Sequence, residues 1–165
     1  MNQTKFLSKL ELTELRRVLD IHRETDLRNV LLIETALATG ARASEILSIT
    51  KQDLNPETQT VFIRGLKSSN DREIPLKPTL FRALIGLGGD KPFPITYQRL
   101  VQIWAQYRPV KKGFHSLRHS VALRIFEKHR DIRLVQVVLG HRSIDSTMVY
   151  SQYHYEQTEL RRLLR

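Results

Sequence analysis

The sequence contains no cysteine, which excludes disulfide bonds, thiolate zinc sites, iron–sulfur clusters and cysteine nucleophiles. No apolar run approaches the ~20 residues that a helix needs to span a bilayer. The first fifteen or so residues lack the apolar segment and the small-residue cleavage site of a signal peptide. We therefore expect a cytoplasmic, nucleoid-associated protein with no membrane partner.

Acidic residues are scarce in the second half of the chain. The 165 residues carry 27 Lys and Arg against 17 Asp and Glu, a formal net charge of +10. Residues 1–90 hold 13 basic and 12 acidic side chains, whereas residues 91–165 hold 14 and 5. A cationic half suits nucleic acid, because Lys and Arg release condensed counterions from phosphates. A solvated basic surface with no specific ligand is the alternative.

The sequence also lacks the common templates of metal and phosphate chemistry. There is no glycine-rich phosphate loop, and Ser116 stands where a zinc-hydrolase motif would need a carboxylate between His115 and His119. The acidic residues are scattered and do not form the close pairs of a two-metal nuclease. We therefore predict no metal and no other cofactor.

Length and periodicity predict one domain, residues 1–165, of mainly α structure with a small antiparallel β-sheet. The alternating β-branched stretches at residues 60–64 and 72–76 predict a hairpin, or a three-stranded ribbon whose first strand the pattern does not place. The sheet is inserted after the third helix. Predicted helices are 8–20, 29–39, 43–49, 78–87, 96–107, 116–129, 131–139, 143–153 and 156–165, with caps at Ser8, Thr96, Ser116, Asp131 and Ser143 and a glycine stop at Gly40.

Several polar residues stand in apolar or glycine-bounded surroundings. Arg42 lies in LATGARASEIL, directly after a helix that reads as buried and its glycine stop. HSLRH places His115 and Arg118 three residues apart, so on a helix they share a face and can address one anionic group. Further candidates are Lys67 in the turn between the strands, His141 after VVLG at a helix end, and Tyr150 nine residues later.

Taken singly, each candidate also fits a structural explanation. Arg42 could form a surface ion pair with Glu45, and HSLRH could be a solvated helix start. Lys67 in a polar turn could serve solubility alone. A lone tyrosine such as Tyr150 is usually a half-buried aromatic side chain whose hydroxyl has found a partner.

Taken together, LATGARASEIL, GLKSSNDREIPL, HSLRHS and LGHRSIDSTMVY closely resemble the catalytic domain of the tyrosine recombinase (phage integrase) family. That family shows an arginine in TGxRxSE, a lysine in a β-turn before an R-x-[IV]-P-L strand, HxLRH, LGH, and a tyrosine nine residues after that last histidine. All five elements occur here in order, from about Phe6 to Tyr155. The resemblance implies the tyrosine recombinase catalytic-domain fold and a site-specific recombinase or integrase of a phage or mobile element.

The resemblance also implies a role for each candidate. Tyr150, and not the nearby Tyr153 or Tyr155, would attack the scissile phosphate and form a 3′-phosphotyrosyl link without metal or ATP. Arg42 and Arg118 would clamp the phosphate, since planar guanidiniums offer paired donors. Lys67 would protonate the leaving 5′-oxygen, and His115 would accept or share the tyrosine proton. His141 would donate a hydrogen bond to a non-bridging oxygen. Glu45 would orient Arg42 or a neighbouring histidine.

The resemblance implies double-stranded DNA as the partner, with a free monomer that assembles into a tetramer on synapsed DNA; accessory DNA-bending proteins are further candidate partners. Leu160, Leu163 and Leu164 have helical spacing, so residues 156–165 are expected to dock on a neighbouring protomer or, alternatively, on their own domain. We expect the N-terminal DNA-gripping domain of most family members to be absent, as in a compact recombinase or an excised catalytic domain. A type IB topoisomerase-like enzyme, which shares the chemistry, and a catalytically weak DNA-binding fragment are the alternative functions.

Overall fold

Eight α-helices and one three-stranded sheet form the part of the chain that the structure, a computed structural model, describes: residues 5–66, 69–151, 161 and 164. This architecture confirms the predicted mainly helical fold with a small antiparallel sheet. The elements are α1 (Lys9–His22), α2 (Leu27–Thr39), α3 (Ala43–Leu47), β1 (Leu54–Asn55), β2 (Thr60–Ile63), β3 (Arg72–Pro75), α4 (Pro78–Gly86), α5 (Tyr97–Tyr107), α6 (His115–His129), α7 (Ile132–Leu139) and α8 (Asp145–Met148).

The sheet has the order β1-β2-β3, and both pairings are antiparallel. Strand β1, which the sequence pattern did not place, pairs Leu54 with Val61 of β2. On the other side of β2, Val61 pairs with Ile74 and Ile63 pairs with Arg72. Alternate residues of a strand point to opposite faces, so Arg72 shares the buried face of β3 with Ile74.

Three predicted helix caps are present, because capping depends on local hydrogen bonds that a short sequence encodes. The side chain of Ser8 accepts a hydrogen bond from the N–H of Glu11 at the start of α1. The side chains of Thr96 and Asp131 cap α5 and α7 in the same way.

The predicted cap at Ser116 was wrong, and Ser143 lies one residue before the cap position of its helix, where its hydroxyl accepts a hydrogen bond from the N–H of Asp145. Helix α6 begins one residue earlier than expected, with Phe114 at the cap position, because a turn that starts at Gly113 runs straight into it and already binds the N–H of Ser116. The helix predicted at 143–153 is reduced to α8, which starts after Ile144 rather than Ser143. It ends at Met148 because the next hydrogen bonds reach back three residues instead of four.

Two glycines end the helices that border the site. Gly40 after α2 and Gly140 after α7 have φ values of +63° and +70°, the left-handed region that favours glycine. The backbone of Asn70 approaches Gly140 closely, with its N–H donating to the Gly140 carbonyl at 2.8 Å. A Cβ at position 140 would lie 2.7 Å from the carbonyl oxygen of Asn70. The bare backbone therefore lets the start of β3 lie against the end of α7.

The core surrounds α2, whose run from Val30 to Ile33 is buried on every side and which packs against α6, α4 and α3. A second apolar cluster lies between α6 and α7 and includes Leu123, Leu139 and Tyr150. Within the described residues, no helix has the length and apolar character needed to cross a membrane.

Candidate functional site

Arg118 lies in the first turn of α6 and joins the ends of two other helices. Its Nη1 donates to the carbonyl of Gly40 at 2.8 Å and its Nη2 to the carbonyl of Leu139 at 2.9 Å. Both carbonyls lie at helix C-termini, where backbone acceptors lack helical partners. Burial, followed by the positive charges of Arg42 and Arg72, lowers the pKa of Arg118 to about 10. The guanidinium therefore stays charged at neutral pH in a fixed orientation.

Arg42 follows the glycine that ends α2 and occupies the cap position of α3. Its backbone N–H donates to Oε2 of Glu45 at 2.8 Å, and its Nη1 lies 3.3 Å from Oε1 of the same carboxylate. The Arg42 side chain is 28% exposed, whereas Glu45 is fully buried. The Glu45 contact with Arg42 is thus present, and the carboxylate is an interior group rather than half of a surface pair.

Arg72, which the sequence analysis did not single out, is the second partner of Glu45. Its Nη2 lies 2.8 Å from Oε2 of Glu45, and its Nε donates to the carbonyl of Val138 at 2.8 Å. Burial raises the pKa of Glu45, but the hydrogen bonds from Arg72 and from the Arg42 N–H outweigh it and lower the pKa. Glu45 is therefore ionised and binds arginines here, not the histidine offered as an alternative. The alternation in REIPL places residue 72 on the same face of the strand as Ile74, and this pattern could have predicted that Arg72 is buried.

His141 and His115 both lie within the influence of the Arg118 and Arg42 charges. His141 is buried, and its Nδ1 lies 2.8 Å from the hydroxyl of Thr147. Burial, then the charges of Arg118 and Arg42, lower its pKa to about 4, so the imidazole is neutral at pH 7. His115 is the first residue of α6 and is exposed. Neighbouring side chains still desolvate part of its ring, and this partial desolvation, then the same two arginine charges, lowers the pKa of His115 as well.

The hydroxyl of Tyr150 lies 2.8 Å from Nδ1 of His119. Tyr150 follows α8 and is 2% exposed, and burial raises its pKa while the charges of Arg118 and Arg42 act in the opposite direction. In the sequence, His119 stands out only as the second histidine of an incomplete zinc motif. His119 follows His115 by four residues and so lies on the same face of the helix, and this spacing could have predicted that it belongs to the site. The assignment of the tyrosine proton to His115 stays a prediction.

Lys67 lies outside the described residues, as do Tyr153, Tyr155 and all of the predicted helix 156–165 except positions 161 and 164. The residues on either side of positions 67 and 68 are described. Ser69 forms a β-bridge with His141, and a Cβ at Gly65 would collide with the backbone of Ser69 and Asn70. Ser69 therefore lies beside His141, and Gly65 lies close to Ser69.

The described candidates thus come from α3, α6 and the segment after α7, and they meet around one concentration of positive charge. Two guanidiniums, three imidazoles and one phenol are close enough to influence one another's protonation. The guanidiniums of such a set can bind a phosphate group, and the phenol is a hydroxyl of the kind that serves as a nucleophile. In the described ranges, no three His, Asp or Glu side chains are grouped as a metal site would require.

The model of the phage integrase family matches residues 6–91 and 94–157 of the chain. The chain belongs to this family. It is 33% identical to the tyrosine recombinase XerC of Bacillus licheniformis, covering 96% of this chain and 59% of that protein. It is 27% identical to the tyrosine recombinase XerA of Pyrococcus furiosus, covering 84% of this chain and 55% of that protein. The chain thus spans little more than half the length of these curated relatives.

Solved structures of the family confirm the predicted catalytic-domain fold. The XerH site-specific recombinase bound to its difH substrate, in a pre-cleavage complex, gives a TM-score of 0.71 at 27% identity, covering 99% of this chain and 54% of that one. The catalytic domain of bacteriophage HP1 integrase gives a TM-score of 0.71 at 26% identity, covering 95% of this chain and 92% of that one.

Proposed function

We propose that residues 1–165 form the catalytic domain of a site-specific tyrosine recombinase that cleaves and rejoins double-stranded DNA. The observation that carries this proposal is that the Tyr150 hydroxyl contacts His119 on α6, one residue after Arg118, whose guanidinium is fixed by the carbonyls of Gly40 and Leu139. A nucleophile and two permanent cations are the groups that a metal-free phosphoryl transfer needs. The relatives named as tyrosine recombinases support the same reaction class.

In the cleavage step, the Tyr150 oxygen attacks the scissile phosphorus and forms a 3′-phosphotyrosyl bond, while the bond to the 5′-oxygen breaks. Negative charge builds on the non-bridging oxygens in the transition state. Arg42 and Arg118 stabilise that charge through guanidinium hydrogen bonds. Arg118 is held in place by the carbonyls of Gly40 and Leu139, so little reorientation is needed when the phosphate binds.

The other candidates move protons or hold the arginines. Lys67 gives a proton to the leaving 5′-oxygen, which is a poor leaving group without one. His141, with its Nδ1 held by Thr147, donates from its other ring nitrogen to a non-bridging oxygen. Glu45 positions Arg42 through its carboxylate contacts, and His115, whose ring contacts that of His119, can share in movement of the tyrosine proton.

Rejoining reverses these steps and conserves the phosphodiester bond energy, so ATP is not needed. Attack by the 5′-hydroxyl of another duplex gives strand exchange, whereas attack by the original strand gives relaxation of supercoils. The named recombinase relatives favour strand exchange over the topoisomerase alternative. Both arginines and the tyrosine are retained, which argues against a catalytically weak DNA-binding fragment.

The partner we propose is double-stranded DNA, consistent with the 14 basic residues against 5 acidic ones at positions 91–165 and with a structural relative solved on its DNA substrate. We propose further that the protein is a monomer in solution and a tetramer on synapsed DNA, in the nucleoid of the cytoplasm. Residues 156–165 would dock on a neighbouring protomer, and accessory DNA-bending proteins would assist. Deleting residues 156–165 should abolish assembly on DNA; unchanged assembly would refute the docking role.

Covalent capture tests the proposed reaction. The protein is mixed with fragmented genomic DNA from its own source and quenched with SDS, and the recovered protein–DNA adducts are sequenced at their ends. We expect the adducts to share one junction sequence. We also expect that sequence, placed on two plasmids, to support strand exchange between them. Adducts scattered over random sequences, with supercoil relaxation and no exchange, would identify a topoisomerase instead. A wild-type chain that binds the DNA and leaves no adduct would contradict the proposal.

A further inference from the structure

We propose that His119 is a further catalytic residue, whose Nδ1 takes the proton from the Tyr150 hydroxyl during cleavage and returns it during rejoining. This inference rests on the proposed function. It assigns the proton transfer to a contact within the structure rather than to the first histidine of the HSLRH motif.

The geometry places the donor and the acceptor together before any DNA is bound. His119 lies in the second turn of α6, half-buried, and its Nδ1 is 2.8 Å from the Tyr150 hydroxyl. That is an ordinary hydrogen-bond distance and within the reach of a general base. The two rings are 5.8 Å apart between centroids, inclined at 55°. The His119 ring also meets the His115 ring edge to face, with 4.7 Å between centroids, so His119 contacts both Tyr150 and His115.

The surroundings give the two groups the protonation states that the transfer requires. Burial, then the charges of His115, Arg118 and Lys5, lower the pKa of His119 to about 4. The imidazole is therefore neutral at pH 7 and has a free electron pair. Burial raises the pKa of Tyr150, so the phenol keeps its proton in the resting state. The hydroxyl then donates and Nδ1 accepts, in the tautomer that carries its hydrogen on Nε2.

Phosphate binding strengthens this base at the moment it is needed. The positive charge of Arg118 is one of the factors that hold the pKa of His119 down. A bound phosphodiester places a negative charge against Arg118 and Arg42 and offsets that effect. The same anion favours imidazolium over imidazole. The proton acceptor is therefore weak without substrate and becomes more basic when the scissile phosphate is in place.

The protein and the DNA supply every proton and electron pair that the cleavage step needs. The O–H bond of Tyr150 breaks as an oxygen electron pair forms the new bond to phosphorus, and the proton passes to Nδ1 of His119. The bond from phosphorus to the 5′-oxygen breaks, and that oxygen takes a proton from Lys67. In rejoining, the 5′-hydroxyl gives its proton back to Lys67 as its oxygen forms the bond to phosphorus, and the imidazolium returns its proton to the departing tyrosine oxygen. No atom changes oxidation state.

The experiment uses a duplex that carries the junction recovered from wild-type adducts, with sulfur replacing the bridging 5′-oxygen at the cleavage position. A thiolate leaves without being protonated, so the probe removes the need for Lys67 and isolates loss of the tyrosine proton. Single-turnover cleavage is followed from pH 6 to pH 9 for the wild type, His119→Asn and the control His129→Asn. His129 is exposed at the far end of the same helix.

We expect His119→Asn to cleave the probe about 10²- to 10⁴-fold more slowly at pH 7, the usual contribution of a general base. Its rate should rise about tenfold per pH unit, because only tyrosinate can then attack. The wild type and His129→Asn should show nearly flat profiles. In a second variant, His119→Gly, added imidazole should restore cleavage, and pyrazole, a much weaker base of the same size, should not.

The remaining outcomes overturn the inference in separable ways. A wild-type rate and a flat profile in His119→Asn would show that another group takes the proton while the recombinase assignment stands. A slow His119→Asn with a flat profile, and no imidazole rescue of His119→Gly, would mean that His119 supports the fold only. A wild-type chain that forms no adduct with genomic DNA would remove the proposed function and this inference together.

Discussion

Nη2 of Arg72 lies 2.8 Å from Oε2 of Glu45, and the two side chains are 4% and 0% exposed. The same carboxylate holds Arg42 through its backbone N–H and its guanidinium. One buried acid therefore ties strand β3 to the start of α3 and sets the position of an arginine proposed to bind the scissile phosphate. Removing one partner of a buried charge pair leaves the other charge uncompensated, which is costly.

Glu45→Gln should lower the free energy of unfolding by about 3 kcal/mol, because Arg72 would stay buried without a countercharge. Urea unfolding at pH 7 measures the change. Glu57→Gln, at an exposed acid in a turn, is the matched control and should be nearly neutral. Equal stabilities of the two variants would show that the pair contributes little.

The low pKa of His141 predicts a loss of stability on mild acidification. Its folded-state pKa is about 4 against an ordinary value of 6.5, so between those pH values the unfolded chain binds more protons than the folded one. Stability is therefore present above pH 6.5 and is lost as the pH falls towards 4. His141→Asn should remove part of this dependence in urea unfolding between pH 4.5 and pH 7, since His119, whose pKa is also about 4, contributes as well, whereas His129→Asn should leave it unchanged. The prediction fails if the His141 variant keeps the wild-type slope.

Gly140→Ala should destabilise the protein by about 2 kcal/mol or more. The left-handed conformation alone costs a residue with a Cβ roughly 1–2 kcal/mol, and the added carbon would lie 2.7 Å from the Asn70 carbonyl oxygen. Gly88→Ala is the control, since a Cβ there has no atom within 4 Å. Thermal melting of the two variants decides the matter, and a Gly140→Ala protein as stable as Gly88→Ala would contradict the geometry.

Arg118→Lys should reduce covalent adduct formation about 10²- to 10³-fold, the usual effect of losing one preorganised donor to a developing charge. One ammonium cannot donate to the carbonyls of Gly40 and Leu139 in a fixed plane and also clamp a phosphate. Adduct yield and DNA affinity are measured side by side, and affinity should change far less. Arg17→Lys on the exposed face of α1 is the control. Wild-type adduct yield in Arg118→Lys would remove Arg118 from the proposed mechanism.

Short-range features of the fold were predictable from the sequence. The capping residues Ser8, Thr96 and Asp131 act on backbone groups two or three residues away, so a local window contains the whole interaction. The glycine that ends α2 was predictable for the same reason. The predicted cap at Ser116 was wrong because a turn continues directly into α6. The N–H of Ser116 already donates to the carbonyl of Gly113 in that turn, so no side-chain cap is needed.

Contacts distant in sequence define the site, and no local pattern contains them. His119 and Tyr150 are 31 residues apart, and Arg72 and Glu45 are 27 apart. The family motifs name Tyr150 and Arg118, but they do not say which histidine meets the phenol. That choice depends on how α6 packs against α7 and on where the chain turns after α8. It became visible only in the assembled fold.

The identity of the residue bonded to DNA tests the central claim most directly. Adducts formed on genomic fragments are digested with nuclease and trypsin, and the peptide that retains a nucleotide is located by mass spectrometry, for the wild type and for Tyr150→Phe. We expect a nucleotide on the hydroxyl of Tyr150 in the wild type, and no adduct in Tyr150→Phe although that variant still binds DNA. A nucleotide on Tyr153 or Tyr155, or an adduct that persists in Tyr150→Phe, would contradict it.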